Sequence, residues 1–398
     1  MRADTCRRVR ETAAAGEGGA VASGGPAESE WGLAVDLGTS AVKAAYWTAE
    51  NRVGSLLPPF PSTVCRDRDG RLHTGTEALR RAEDGPECAE RMPVQALLAQ
   101  PWALLDGEAV PVADLIAALL EQVLRACRPI CGGGPPARLT VVAPEDWSGS
   151  ARGELAAVLT SAGLPGPEWV TASEAVAAAW TRERKVPAGE PLAVCDAGAG
   201  GLRLTLRAAG RTAALSPGRS VACGGADLDA ALWERVRDLA SAAGITEAEC
   251  VGPSAESEPA RRRARLGRMV TGIRESLSAH TSASLVLPGQ ARDLLVRRSD
   301  FEEAADGALR QVAAAVEALA AEHGTFRTLV LAGGVAPTPR LSDLLAEALG
   351  RLPDLAPGAA GAAVLGAIGL THTRSGGGDG GWGTAAPYAF PDDEDLFG

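Results

Sequence analysis

In Leu33-Ala34-Val35-Asp36-Leu37-Gly38-Thr39-Ser40 an apolar, β-rich run ends on an aspartate and breaks into Gly, Thr and Ser, after which Val42 to Trp47 resumes as a second short strand. This pattern predicts a hairpin whose turn carries a carboxylate, a glycine and two hydroxyls. The same arrangement returns 160 residues on, from Asp36 to Asp196. There Leu192-Ala193-Val194-Cys195 enters Asp196-Ala197-Gly198-Ala199-Gly200-Gly201. Leu202, Leu204 and Leu206 then alternate with Arg203, Thr205 and Arg207 in a period-two strand. Two such hairpins in one chain are an internal repeat.

A strand that ends in Asp-x-Gly-Thr/Ser and reverses tightly points successive backbone N–H groups and hydroxyls at one place, which makes an anion cradle. The aspartate beside the cradle can hold hydrated Mg²⁺. Two such turns facing each other can enclose a nucleoside triphosphate with its metal. Asp36 and Asp196 are the candidate carboxylates. One Asp/Gly turn alone is most often an ordinary hairpin; two in repeat register predict a paired site.

Outward from the repeats, the 398 residues are 46% hydrophobic and 22% charged, enough for two medium α/β domains. With 50 acidic and 39 basic side chains the net charge is −11, which disfavours nucleic acid and anionic lipid as partners. The eight cysteines form no C-x-x-C pair, and no histidine flanks them at zinc-ligand spacing. They are expected to be reduced and structural. No signal peptide is legible and residues 355–370 are too short and weak to span a bilayer, so a cytoplasmic, soluble chain is expected.

Residues 1–30 read as a disordered leader, 31–188 as a first lobe, 189–374 as a second, and 375–398 as a disordered Gly-rich, acidic-aromatic tail. Between the hairpins the pattern predicts a helix over Val112–Cys127, a strand over Leu139–Ala143, a helix from Ser150 to Ala162 ending at Gly163, a strand at Trp169–Thr171 and a helix opened by Glu174. Helices over Ala226–Ala243 and Pro259–Ser278 follow the second hairpin. A strand at Thr328–Leu331, Gly333-Gly334 and a helix over Leu341–Leu349 close the pattern. Arg261, Arg262, Arg263, Arg265 and Arg268 read as a solvated basic face, and Cys195 as a small buried hydrophobe.

Five stretches together resemble the actin, sugar-kinase and heat-shock-chaperone ATPases, in particular the nucleotide-binding domain of DnaK-like chaperones. Asp36 to Ser40 resembles the family's first phosphate loop, Asp196 to Gly201 its second, and Leu331 to Leu341 its adenosine motif. Gly224-Gly225-Ala226-Asp227-Leu228-Asp229 is similar to the chaperones' Gly-Gly-x-Asp-x-Asp turn, and Ser173 to Ala179 to their Glu-Pro-Thr-Ala-Ala-Ala helix start. Order and rough spacing agree from about residue 31 to 372. The resemblance implies a two-lobed actin-like ATPase fold with duplicated, ribonuclease H-like βββαβα lobes, closing on Mg-ATP. The alanine-rich segment 355–372 is then expected to return as a helix to the first lobe.

Residue by residue, the resemblance implies that Asp36 and Asp196 organise hydrated Mg²⁺ and that Thr39 and Ser40 bond β- and γ-phosphate oxygens. Glu174 would order the attacking water. Gly38, Gly198, Gly200 and Gly201 would let the loops approach the phosphates, Gly224 and Gly225 would lie near the β-phosphate, Gly333 and Gly334 beneath the adenosine, and Arg274 and Ser278 at the adenine and ribose. Lys43 follows Asp36 by seven residues, the spacing at which actin-type members place a phosphate-touching lysine; its other reading is a solvated strand residue.

Departures from the family pattern are equally specific. Lys43 and Lys185 are the chain's only lysines, so the family's catalytic lysine is absent and Arg91 is the nearest substitute. Gly201 stands where chaperones carry a threonine, Arg203 where they carry an aspartate, Pro337 for an adenine-stacking arginine and Thr271 for a ribose-binding glutamate. The expected function is a DnaK-like, ATP-binding conformational switch with weak ATPase activity that lacks the chaperones' peptide-binding domain. The alternatives are a nucleotide-sensing scaffold with little or no turnover, a small-molecule kinase and a filament-forming actin relative. ATP or ADP is the expected ligand, and the tail is either a solvating segment or a linear motif that docks its aromatics on a protein partner.

Overall fold

Apolar alternation on the two hairpins builds two sheets. Strand β1 (Trp31–Leu37) alternates Leu33, Val35 and Leu37 with Ala34 and Asp36, and β2 (Ala41–Thr48) returns antiparallel beside it. Antiparallel β3 (Ser55–Leu56) extends one side, and parallel β4 (Arg138–Ala143) and β5 (Pro167–Thr171) the other, in the order β5-β4-β1-β2-β3. The second hairpin, β6 (Pro191–Ala197) and β7 (Leu202–Ala208), gains antiparallel β8 (Arg219–Val221) on one side. Parallel β9 (Thr328–Ala332) and β10 (Asp354–Leu355) lie on the other, so the order is β10-β9-β6-β7-β8. The first sheet also carries the short strand Phe60–Pro61, antiparallel to β2; apart from it, the two sheets share one order and one pattern of parallel and antiparallel neighbours. This computed structural model describes residues 30–184, 186–245, 259–286, 293–324 and 326–375. The expected leader and tail, Cys6, Lys185 and Cys250, and the side chains of Arg261, Arg262 and Arg263 lie outside the described residues. The described residues are mixed α/β, 47% helix and 25% strand, with several sheets and no barrel among them.

Helices cover both faces of each sheet. Helix α1 (Val112–Cys131) turns Leu115, Ile116, Leu119, Leu120 and Val123 to one side. With α2 (Gly149–Ser161) it packs on the face of the first sheet that carries Leu33, Val35 and Leu37. The Ser148 hydroxyl caps α2 by accepting the Ala151 N–H at 3.2 Å. Each aliphatic side chain fully buried in this way contributes about 1.5–3 kcal/mol. Beyond α3 (Ala172–Glu183), the helices α4 (Gly225–Ala242), α5 (Pro259–Ala279), α6 (Arg298–His323) and α7 (Pro339–Leu349) gather on the outer face of the second sheet, against Ala193, Cys195 and Ala197.

The inner faces share one layer. Helix α3 places Val176, Ala177 and Trp180 on Leu192, Val194 and Val330 of the second sheet. Helix α8 (Ala362–Ser375) places Val364, Ala367 and Ile368 on Ala34, Ala45 and Trp47 of the first. Thr140 and Thr371 hydrogen-bond at 2.7 Å and fix α8 there. The helix that follows the second sheet in sequence thus packs on the first. Among the described residues no helix is long and apolar enough to cross a membrane.

Two outcomes differ from the sequence expectations. The 26-residue α6, the longest described helix, was not foreseen. The cysteines are not all reduced: Cys65 and Cys88 form a disulfide, with Cα atoms 5.4 Å apart. The antiparallel pair Val64–Arg66 and Ala89–Glu90 sets Cys65 opposite Ala89, and so brings Cys88 within bonding reach. Cys127, Cys195 and Cys223 are free thiols, all buried, and Cys131 is buried as well.

Candidate functional site

Since Ala34 and Asp36 share a side of β1, and Leu192, Val194 and Asp196 a side of β6, both aspartates leave their strands on the faces turned to the shared layer. Their turns meet over one cleft of about 840 Å³. It is lined by Asp36, Gly38, Thr39, Ser40 and Lys43 from the first turn and by Asp196, Gly198, Gly200, Gly201 and Arg203 from the second. The first turn is ordered by Ser62, whose hydroxyl donates to the Gly38 carbonyl at 2.7 Å and whose N–H donates to that of Ser40 at 3.0 Å. In the second, the Gly198 N–H donates to the Gly201 carbonyl at 3.0 Å. The turns touch: a Cβ on Gly200 would fall 2.8 Å from Thr39 Oγ1, so only glycine permits this approach. Gln95 Nε2 also donates to Thr39 Oγ1, at 3.0 Å, from the helix Pro93–Ala99.

Lys43 belongs to the cleft and not to the solvated face of β2. It stands opposite Asp36 in the hairpin register, and its Nζ donates to Asp36 Oδ2 at 3.1 Å. The Asp36 carboxylate raises the lysine above its ordinary range, burial opposes this, and Asp196 adds to the rise. Lys43 is therefore a fixed positive charge between two acids. Asp196 is raised too, which for a carboxyl disfavours the charged form. Burial lifts its carboxyl from 3.8 up to about 6; Lys43 and Arg203 counter the rise, while Asp36 and Glu145 reinforce it.

The cleft is bridged from side to side. Arg203, opposite Asp196 in the second hairpin, reaches Asp146 at 2.5 Å in the loop after β4. Neighbouring Glu145 accepts the Ser173 N–H at 2.8 Å at the start of α3. Arg207, further along the same face of β7 and fully buried, donates to Ser173 Oγ at 3.0 Å and to the backbone carbonyls of Arg211 and Thr212. The polar half of the period-two strand thus faces the junction between the halves.

The remaining expected site residues lie outside the lining of the cleft. Glu174 is buried on the first turn of α3, its N–H donating to Thr171 Oγ1 at 3.4 Å. Gly225 N–H donates to the Gly198 carbonyl and Gly224 N–H to Asp227 Oδ2, so the start of α4 braces the second turn. Gly333, at φ +90°, lies against Ala197 with no room for a Cβ, whereas Gly334 is exposed. Arg274 is buried and paired with Asp229 at 2.6 Å, and Thr271 donates to the same carboxylate at 2.7 Å. Ser278 donates back to the Arg274 carbonyl at 3.4 Å. Arg91 is exposed and does not line the cleft, although Met92, Val94 and Gln95 beside it do.

Sequence reasoning missed Gln95, Glu145, Asp146 and the bridging role of Arg203. Hairpin register could have flagged Arg203, since it follows Asp196 by the same seven residues that separate Lys43 from Asp36. The others come from a loop and a helix that no local pattern ties to the turns. Among the described residues no group of three or more His, Cys, Asp or Glu side chains is placed to hold a metal ion, so any metal here needs ligand or water oxygens besides the two aspartates. No protein-family model and no curated protein matches the chain.

Proposed function

We propose that the chain is an ATP-binding protein of the actin, sugar-kinase and heat-shock-chaperone superfamily, with a two-lobed actin-like fold and motifs nearest the DnaK-like chaperones. Nucleotide would bind in the cleft and act as a conformational switch. One observation carries this: Asp36 and Asp196, from equivalent turns of two sheets with one strand order, line a single cleft with Lys43 between them.

The residues suit a metal-bound polyphosphate better than a bare anion. Asp36, Asp146, Glu154 and Asp196 outnumber the cations Lys43 and Arg203 along the lining, so a free anion is repelled. Asp196 is costly to hold ionised where it stands, which marks a place for a further cation. Bound Mg²⁺ would neutralise phosphate charge. Asp36 and Asp196 would orient its water shell, and Thr39 and Ser40 would donate to phosphate oxygens. Lys43 would hold a point charge beside them. Titration of the intact protein with Mg-ATP and Mg-ADP is expected to give saturable heat that disappears when a chelator removes the metal. No heat with Mg-ATP overturns the proposal.

A second reading, a nucleotide sensor with negligible turnover, is favoured by Arg91. The nearest substitute for the missing lysine is exposed and does not line the cleft, so that segment adds no second cation to the lining. Under this reading, single-turnover mixing shows bound ATP without phosphate release over hours. Release within minutes restores the hydrolase.

A further inference from the structure

The two hairpins carry a correspondence that their turns alone do not show. In the first, Asp36 pairs across the strands with Lys43; in the second, Asp196 pairs at the same register with Arg203. Directly opposed residues on an antiparallel pair project from the same face. Both cations line the cleft. Their partners differ. Lys43 bonds the aspartate of its own turn at 3.1 Å, whereas Arg203 reaches across to Asp146, a residue of the other half, at 2.5 Å. That pair is one-third to more than half exposed, 32% at Arg203 and 59% at Asp146. An ion pair this wet is held weakly and exchanges readily. A planar guanidinium has a better partner in a phosphate group, which it can grip through two parallel N–H···O bonds.

We propose that Arg203 is a second phosphate-holding cation, kept in place by Asp146 and handed to a phosphate group when a metal-bound polyphosphate enters. The inference rests on the nucleotide reading above and adds to it a site residue where the resembling chaperones carry an acid. It also assigns Asp146 a role as an internal competitor of the ligand. The Arg203–Asp146 bridge spans the two halves, so its exchange for phosphate couples occupancy of the cleft to the tie between them.

Competition makes a prediction that a purely structural bridge does not. If the bridge only holds the halves together, removing either partner moves ligand binding in one direction. If Asp146 competes with phosphate, the two substitutions move it in opposite directions. The test is calorimetric titration of Mg-ATP into the intact protein, Arg203→Gln, Asp146→Asn, the double variant and Glu154→Gln. Glu154→Gln removes a carboxylate from the same cleft without touching Arg203. Arg203→Gln is expected to weaken binding tenfold or more, the usual loss for a charge-assisted bond to phosphate (~1.5–3 kcal/mol). Arg203→Lys, which keeps the charge and loses the fork, is expected to recover part of that affinity. Asp146→Asn is expected to tighten binding roughly fivefold, the fold-change for freeing a part-exposed ion pair, and to do nothing in the Arg203→Gln background. An Asp146→Asn effect that persists in that background, or that Glu154→Gln reproduces, assigns it to the overall charge of the cleft and overturns the proposal. So does a loss of affinity in both single variants. These outcomes leave the nucleotide reading standing. Absence of Mg-ATP binding by the intact protein overturns that reading, and this inference with it.

Discussion

Ionised Asp196 sits among buried surroundings with Asp36 and Glu145 nearby, and its carboxyl is pushed up to about 6 from 3.8. A carboxyl raised in the folded state holds its proton more tightly there than in the unfolded chain, so stability falls as pH rises through this interval and stays low above it. Asp196→Asn is therefore expected to raise the melting temperature by a few degrees at about pH 8 and to leave it nearly unchanged at about pH 4. Thermal unfolding at the two pH values checks this; an equal shift at both would remove the charge from the explanation. Much of this residue-scale chemistry was legible in the sequence, because Asp, Gly, Thr and Ser in a strand–turn–strand context admit few uses. Lys43 was legible only as a spacing, and its two readings were separated by the hairpin register that points it at Asp36. Glu145 and Asp146 were not legible, because their place beside the second hairpin depends on how the halves pack.

At the scale of elements, the junction between halves is set by how closely α3 and α8 approach. A Cβ built on Gly366 would lie 1.8 Å from the carbonyl oxygen of Ala175, against backbone that has nowhere to retreat. Gly366→Ala is expected to force the helices apart and to cost about 1–3 kcal/mol, as overpacking does. Urea unfolding measures this, and an unchanged midpoint would mean that the crossing is looser than described. In the sequence this segment read only as too short and weak to span a bilayer and as a returning helix, because a helix crossing has no local signature. Helix α6 is the opposite case. Phe301, Ala305, Leu309, Val312, Val316 and Leu319 are buried at intervals of three and four, a legible helical stripe in which small alanines dilute the apolar contrast. The Cys65–Cys88 bond was illegible for a different reason: it follows from pairing of short strands that carry no alternation of their own.

For the whole molecule, two sheets that share a five-strand order set apolar faces on a layer formed by α3 and α8 and bring the turns that carry Asp36 and Asp196 to one cleft. The repeat was legible across 160 residues, Asp36 to Asp196, because turn chemistry tolerates few residues, while the covering helices are held only to apolar spacing. The halves touch at Thr39 and Gly200 and are tied by Arg203 and Asp146, so ligand entering the cleft acts on both at once. The most direct test is titration of Mg-ATP into the intact protein, Asp36→Asn, Asp196→Asn and the double variant. One site per chain is expected, weakened tenfold or more by either substitution, with the double variant losing less than the two losses combined because both aspartates serve one ligand. A variant of either aspartate that binds Mg-ATP as tightly as the intact protein would contradict the account.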